Sequence, residues 1–413
     1  MGPCSGKLHV HSPLFLLTCV KVFAVYSLQF CRKKNMQKQL PLFLCVFFGC
    51  LTVGLSLGTL PVYVQESLHF SNLIVGLVIG VQSASTLATR HFSGVICDTR
   101  GSNFAVRYGV ALSALAGLSY VLSAVMVAQH LLSLVLLFIG RIILGAGESL
   151  FITGALAWGI GLSGPQRSGK VMAWIGIAIY GALACGAPLG MCIREKAGFA
   201  AVCWAVVLFP LLGGLCASRL QRAPVSGNNR VPFYTVMAKV GRSGAGLALG
   251  TVGFGCLASF ISLYFSRQGW TGGALALTIF GATYIIVRLF FAHLPDRIGG
   301  GKVAFVSLCV EVAGQVLLWT ASSSGMALAG AALTGVGFSL VFPSFGVAAV
   351  RKLGPENKGV ALGAYVAFFD LALGITGPLA GYIAGHLGYA AIYAFGALSA
   401  AIAALLSLSL RNS

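Results

Sequence analysis

Apolar runs of about twenty residues recur from one end of this chain to the other, and they constrain its fold more than any other feature. Read in windows of about 19 residues, twelve such segments follow residue 38: 40–64, 72–96, 104–128, 131–160, 168–192, 199–219, 243–266, 273–294, 303–322, 326–350, 359–385 and 388–410. A helix rises 1.5 Å per residue, so about 20 residues cross a ~30 Å hydrocarbon core. Inside that core every backbone N–H and C=O must find a partner within the structure, which leaves helices or closed barrels. Long unbroken apolar runs suit helices, because barrel strands alternate. The expected fold class is an all-α integral membrane protein with twelve transmembrane helices. Composition agrees: of 413 residues, 58% are hydrophobic and 8% charged, against roughly 25% charged in a soluble domain. A soluble globular enzyme and a disordered chain are excluded.

The charges set the topology. Lys and Arg total 27 against 8 Asp and Glu, a formal +19. In a soluble chain that excess points to nucleic acid. Here the bases fall at segment ends instead of on one basic face, so no nucleic-acid partner is expected. Membrane proteins collect Lys and Arg in cytoplasmic loops. With residue 40 in the cytoplasm, 19 of the 27 bases lie on that side, and the outer side holds Arg194, Lys196 and Arg267. Both ends of the twelve-helix body are then cytoplasmic. The twelve Cys include no CxxC and no Cys/His cluster at zinc spacing, so neither a disulfide framework nor a metal is expected. Walker A, HExxH and GxSxG sequences are absent, so no ATP, cofactor or hydrolytic chemistry is expected.

The longest polar stretch, Arg219 to Arg242, separates six segments from six. The expected division is an N-terminal six-helix bundle (36–220), a cytoplasmic linker (221–242) with a short surface helix near Pro232–Val240, and a C-terminal bundle (243–413). Residues 1–35 do not fit this plan. Leu14–Phe30 is apolar but holds Lys21 at its centre, and Arg32-Lys33-Lys34 follows. Met36 directly precedes an ordinary cytoplasmic lead-in, so residues 1–35 are read as an extension outside the core, with translation starting at Met36.

The two halves repeat. A shift of 198 places Arg90…Asp98-Thr99-Arg100-Gly101 on Arg288…Asp296-Arg297-Ile298-Gly299. A shift of 190 places Gly145-Ala146-Gly147-Glu148-Ser149-Leu150 on Gly335-Val336-Gly337-Phe338-Ser339-Leu340, and Ala187-Pro188-Leu189 on Gly377-Pro378-Leu379. Several matches at nearly constant offset indicate duplication. A duplicated six-helix unit is the plan of many secondary transporters, with the substrate site between the halves near the midplane.

With these motifs the chain resembles the major facilitator superfamily over nearly all of residues 36–413. The family's loop motif, Gly-xxx-Asp-Arg-x-Gly-Arg-Arg, has one counterpart in Gly94, Asp98, Arg100 and Gly101, with Thr99 replacing the usual Arg and Ser102-Asn103 the basic pair. A second counterpart keeps Asp296, Arg297 and Gly299. The stretches LPVYVQESLHFSNLIVGLVIGVQS and YGALACGAPLG are similar to the bacterial YhhS/YfcJ-type permease branch. The resemblance implies a bacterial inner-membrane transporter that works on a small molecule with protons, in the lipid bilayer, as a monomer. It also implies that Asp98 and Asp296 hold a cytoplasmic gate by capping and pairing with neighbouring charges; the plain alternative is a helix cap.

Few ionisable groups lie deep. Arg141 is ten residues into segment 4, about 15 Å from its outer end, where an Arg must face a wet cavity or an acid. Glu148, two turns on, shares nearly the same face, so a structural Arg–Glu pair competes with a coupling role. The run Gly140-Arg141…Gly145-Ala146-Gly147 resembles the family's segment-4 motif, whose Arg is linked to proton transfer. Asp370 is eleven residues into segment 11, about 17 Å deep; its repeat mate is Tyr180. Desolvation penalises a charged carboxylate at such depth, so Glu148 and Asp370 are the two proton-site candidates. Glu311, with Gln315 one turn on, reads as an acid hydrogen-bonded between helices, and Glu66 as a rim residue. Arg90 and Arg288 match across the repeat and either snorkel or meet an anionic substrate. Among the aromatic residues, Tyr180 and Phe369 are the cavity candidates.

Segment 5 holds Gly181, Gly186, Pro188 and Gly190, which resemble the Gly/Pro motif that marks antiporters in this superfamily, with Ala187 where Gly is usual. The function expected is proton-coupled efflux of a small organic compound by alternating access. The rival on the same fold is a proton-coupled importer of a sugar or organic anion.

Overall fold

The computed structural model describes residues 40–163, 168–218, 220, 233–351 and 358–409. The extension 1–35, the start at Met36 and linker residues 221–232 lie outside the described residues. Within them the chain is helical, with no strand. Helix α1 is Leu40–Val62, α2 Asn72–Arg100, α3 Ser102–Val125 and α4 His130–Ser163. The next element, Ser168–Ala217, is 50 residues long, about twice what a bilayer needs. It is broken at Gly198 (φ 81°, ψ 173°) into two arms, α5 (168–197) and α6 (199–217). Then come α7 Phe233–Arg267, α8 Gly273–Phe291, a short unlabelled turn of helix at Leu294–Ile298, α9 Gly300–Trp319, α10 Ser324–Arg351, α11 Lys358–Leu387 and α12 Tyr389–Ser409. Eleven of these helices are long and apolar enough to cross a membrane, and the kink at Gly198 makes one of them two crossings.

Two expectations are corrected. The surface helix near Pro232–Val240 is the first part of α7, which runs unbroken from Phe233. Gly241 and Gly244 weaken a helix by about 1 kcal/mol each but do not end one. Segments 5 and 6 are joined by a single residue, not by a loop.

The repeat is visible in how helices join. Gly101 and Gly299, related by the 198 shift, both have φ 94°, a region that side chains with a Cβ rarely adopt. That explains why both loop-motif copies keep their glycine. Gly198 and Gly388, related by the 190 shift, make the corresponding joins at φ 81° and 86°.

Packing sorts the helices by depth. The exposed apolar side chains include Leu115, Leu118 and Leu122 on α3, Leu208, Leu211 and Leu215 on α6, Val306 and Trp319 on α9, and Leu398, Ile402 and Leu405 on α12. These faces suit lipid. Helix α1 and helix α7 are the most enclosed. Small residues let backbones meet: Gly54 and Gly58 of α1 sit against Ala182, Gly186 and Ala187 of α5, so an added Cβ at either would lie 2.7–2.9 Å from a carbonyl oxygen. The antiporter-like motif therefore has a packing role. Gly186 and Gly190 admit α1, while Gly181 is buried and Pro188 is half-buried.

Candidate functional site

Where the two bundles face each other they enclose a cavity of about 80 Å³. Its wall draws on α1 (Val53, Leu57), α2 (Gln82, Thr86), α4 (Arg141, Glu148), α5 (Tyr180, Leu183), α7 (Phe254, Ser259) and α11 (Phe369, Asp370). All five residues expected to form the coupling site, Arg141, Glu148, Asp370, Tyr180 and Phe369, line this one space.

A polar seam between α2 and α4 fixes the first two. Arg141 is 1% exposed. Its Nε and Nη2 donate to the carbonyls of Val78 and Ile79, both at 2.9 Å, while Nη1 has no partner. Glu148 accepts a 2.7 Å bond from Gln82 Nε2. Thr86 donates to the Gly145 carbonyl at 3.1 Å, and Ser85 to that of Ile142 at 2.7 Å. No ion pair joins Arg141 to Glu148 among the described residues, so the structural-pair reading is set aside. Both side chains are aimed from α4 onto α2, and Gln82 is the partner that sequence alone did not reveal.

Asp370 meets Arg90 across the bundles. Nε of Arg90 donates to Asp370 Oδ2 at 2.7 Å, and Nη2 lies 2.5 Å from the same oxygen. Both side chains are 8% exposed. Taking one partner from a buried pair costs about 3–5 kcal/mol, because the other charge is left uncompensated. The repeat-related arginine behaves differently. Arg288 donates to the Tyr284 hydroxyl on its own helix and lies over the Phe342 ring at 5.8 Å. Tyr284 stacks on Tyr180 with ring centroids 3.9 Å apart. Asp370 and Tyr180 thus occupy equivalent places beside equivalent arginines. Phe254, 5.8 Å from Tyr180 and 6.5 Å from Phe369, extends the aromatic wall.

Beyond the cavity, the bundles close at the end where α2 begins. A Cβ on Gly76 or Gly80 of α2 would strike the backbone of Gly377 or Gly374 of α11, and one on Gly381 would strike Asn72. Gln65 Nε2, on the π-helical turn Tyr63–Ser67, donates to Asn72 Oδ1 at 2.7 Å and to Tyr389 Oη of α12 at 2.8 Å. Between α5 and α8, Thr278 donates to the Ala184 carbonyl at 2.8 Å. One turn beyond Arg90, nothing lies within 4 Å of a Cβ built on Gly94. This seal was legible in part: Gly76-x-x-x-Gly80 and Gly377-x-x-x-Gly381 are close-approach motifs, but the sequence does not say that they face each other.

The remaining candidates lie elsewhere. Asp98 and Arg100 are exposed at the C-terminal end of α2, and Arg100 lies 5.3 Å from the Phe104 ring. Arg297 is exposed, and the side chain of Asp296 lies outside the described residues. Glu66, on the π-helical turn, pairs with Arg194 at 3.4 Å. Glu311 is corrected: Gln315 makes the bonds between helices, to the Gly253 carbonyl and Thr334 Oγ1, and neither carboxyl oxygen of Glu311 has a hydrogen-bond partner.

Two bundles around a cavity, joined by a buried ion pair, form a carrier's frame, and comparison with known proteins names it. The sequence model of the Major Facilitator Superfamily matches residues 42–277 and 243–412. This chain belongs to that superfamily. It is 42% identical over 368 residues to an uncharacterized MFS-type transporter of Salmonella typhimurium, covering 89% of this chain and 95% of the relative. A Burkholderia pseudomallei relative described in the same words is 44% identical over 362 residues, 87% of this chain and 89% of the relative. Among solved structures, a D-xylose–proton symporter superposes with a TM-score of 0.72 at 16% identity, over 89% of this chain and 96% of that one. The human organic anion transporter MFSD10 gives 0.68 at 15%, over 90% and 99%. At those identities the structures share the fold alone. The superfamily member described here is a multi-pass membrane transporter, not an enzyme.

Proposed function

We propose that this transporter is a proton-coupled antiporter of a bacterial inner membrane, with both ends of its helical body cytoplasmic, and that it exports a small organic compound by alternating access. The observation that carries the reading is the Arg90–Asp370 pair, which joins the two bundles and whose Asp370 lines the same cavity as Glu148. A proton on Asp370 removes its charge and releases Arg90, so protonation acts directly on how tightly the bundles are tied. Inverting a two-state equilibrium from 1:99 to 99:1 takes about 5.5 kcal/mol, and a buried pair of this kind supplies about 3–5 kcal/mol. Substrate contacts furnish the rest. Glu148, held by Gln82 and without an ion-pair partner among the described residues, is the second acid that exchanges protons with the cavity. Arg141 tunes both acids by its nearby charge. The aromatic wall of Tyr180, Phe254 and Phe369 suits an organic compound with an apolar face. Exchange of protons against export is supported by the Gly/Pro motif of α5.

The test begins with a thermal-shift screen for a compound that stabilises the purified protein. Uptake of that compound is then measured in everted membrane vesicles. Accumulation driven by internal acidification supports antiport, and accumulation that needs an opposite gradient assigns import. Unchanged proton-driven transport in both Asp370→Asn and Glu148→Gln removes the mechanism.

A further inference from the structure

The structure holds a second deep acid that the central cavity does not use. Glu311 of α9 is fully buried where α7, α9, α10 and α12 meet, and neither of its oxygens has a hydrogen-bond partner among the described residues. The space for it comes from glycines: a Cβ built on Gly253 of α7 would lie 2.7 Å from Glu311 Oε1 and 3.1 Å from Gln315 Nε2. The Gln315 carbonyl abuts Gly396 of α12 in the same way.

The orientation of Gln315 is fixed by its neighbours. Thr334 Oγ1 donates its proton to the Gly330 carbonyl at 2.9 Å, so toward Gln315 it acts as acceptor. The Gly253 carbonyl also only accepts. Both therefore take the amide Nε2, which leaves Gln315 Oε1 as a buried acceptor with no donor. Three acceptor oxygens, two on Glu311 and one on Gln315, are thus orphaned in one cluster. A buried carboxylate without a compensating charge is among the most costly groups a protein can hold. No ion pair reaches Glu311 among the described residues. Of the titratable groups nearby, Cys256 of α7 faces it, and Tyr393 of α12 and Tyr264 of α7 lie beyond Cys256; α10 presents Thr334 to Gln315. None carries positive charge. Three protein oxygens in a closed site are too few for a hard metal cation, which takes six or more oxygen ligands, whereas one proton on Glu311 supplies the missing donor.

We propose that Glu311 is a proton-binding site within the C-terminal bundle, separate from the acids of the cavity, and that its O–H donates to Gln315 Oε1. The site is an addition of this half. In the N-terminal bundle its repeat mate is Ser113, which satisfies itself on the Gly109 carbonyl at 2.9 Å. It adjoins the transport path through α7, whose Gly253 and Cys256 face Glu311 while Phe254, Gly255, Ala258 and Ser259 line the cavity.

Infrared spectra of purified protein test the site. Wild type near neutral pH is expected to show the C=O stretch of a protonated carboxyl, which persists in the double variant Glu148→Gln/Asp370→Asn and disappears in Glu311→Gln. If Glu311→Gln does not fold, glutamate-labelled (13C) Glu148→Gln protein gives the same assignment, because the band must shift with the label. A second readout is the pH dependence of stability. Wild type must hold a proton that its unfolded chain releases, so its folding equilibrium falls up to about tenfold per pH unit more than that of Glu311→Gln as pH rises into the alkaline range. A spectrum without a band assignable to Glu311 overturns the proposal. So does a melting temperature raised by sodium in wild type but not in Glu311→Gln, which would make the ligand a metal cation.

Discussion

Two faces join the bundles, α2 against α11 and α8 against α5, and the internal repeat relates one to the other. Each carries an arginine at the same repeat position, Arg90 or Arg288. Opposite Arg90 stands Asp370, and the pair is ionic and crosses between bundles. Opposite Arg288 the equivalent residue is Tyr180, and the arginine rests on Tyr284, which stacks against it. On the proposed mechanism, one face is switched by a single proton. The other is a ring stack whose strength hardly depends on charge. Duplication supplied two equivalent faces, and divergence at one position gave one of them an acid where the other has a tyrosine.

The sharpest way to break the comparison is steric. Gly76→Leu puts a side chain into the backbone of α11, so the seal of the α2–α11 face cannot form. Overpacking of this kind costs about 1–3 kcal/mol or more, and we expect transport in proteoliposomes to fall at least about tenfold while membrane insertion is unaffected. Next comes Asp370→Asn, which leaves Arg90 uncompensated at a cost of about 3–5 kcal/mol. It should abolish pH-driven accumulation and lower the melting temperature, and the swapped pair Arg90→Asp/Asp370→Arg should recover stability relative to either single change. Glu148→Gln retains the acceptor for Gln82, so exchange down a substrate gradient should persist while proton-driven accumulation drops. The smallest effect is expected on the other face. Tyr284→Phe removes one hydrogen bond to Arg288, worth about 1 kcal/mol, and should leave the pH profile of transport in place. A pH profile shifted as far by Tyr284→Phe as by Asp370→Asn would erase the distinction between the faces.

Sequence made the fold legible because hydrocarbon imposes length and apolarity on every crossing, and twelve runs met that demand. The joins were legible as motif glycines, and the positive φ of Gly101 and Gly299 is the physical reason for them. The site was legible residue by residue. Arg141, Glu148, Asp370 and Tyr180 stood out as rare groups at depth. Their partners were not legible. Arg90 and Asp370 are 280 residues apart and meet only when two bundles dock. Arg141 and Glu148, two turns apart on one helix face, looked like a pair until α2 offered each a better partner in the Val78 and Ile79 carbonyls and Gln82. Glu311 looked like ordinary glue because periodicity reports that a side chain faces inward, not whether a donor awaits it there.

The central claim is that protonation of Asp370 unties the two bundles. Its most direct test is a distance distribution between spin labels on exposed positions of the two bundles, Thr99 at the end of α2 and Arg297 after α8, recorded in lipid across a pH series. Wild type should shift between two distributions as pH falls, and Asp370→Asn should hold the acid distribution at every pH. A wild-type-like shift in Asp370→Asn would contradict the account.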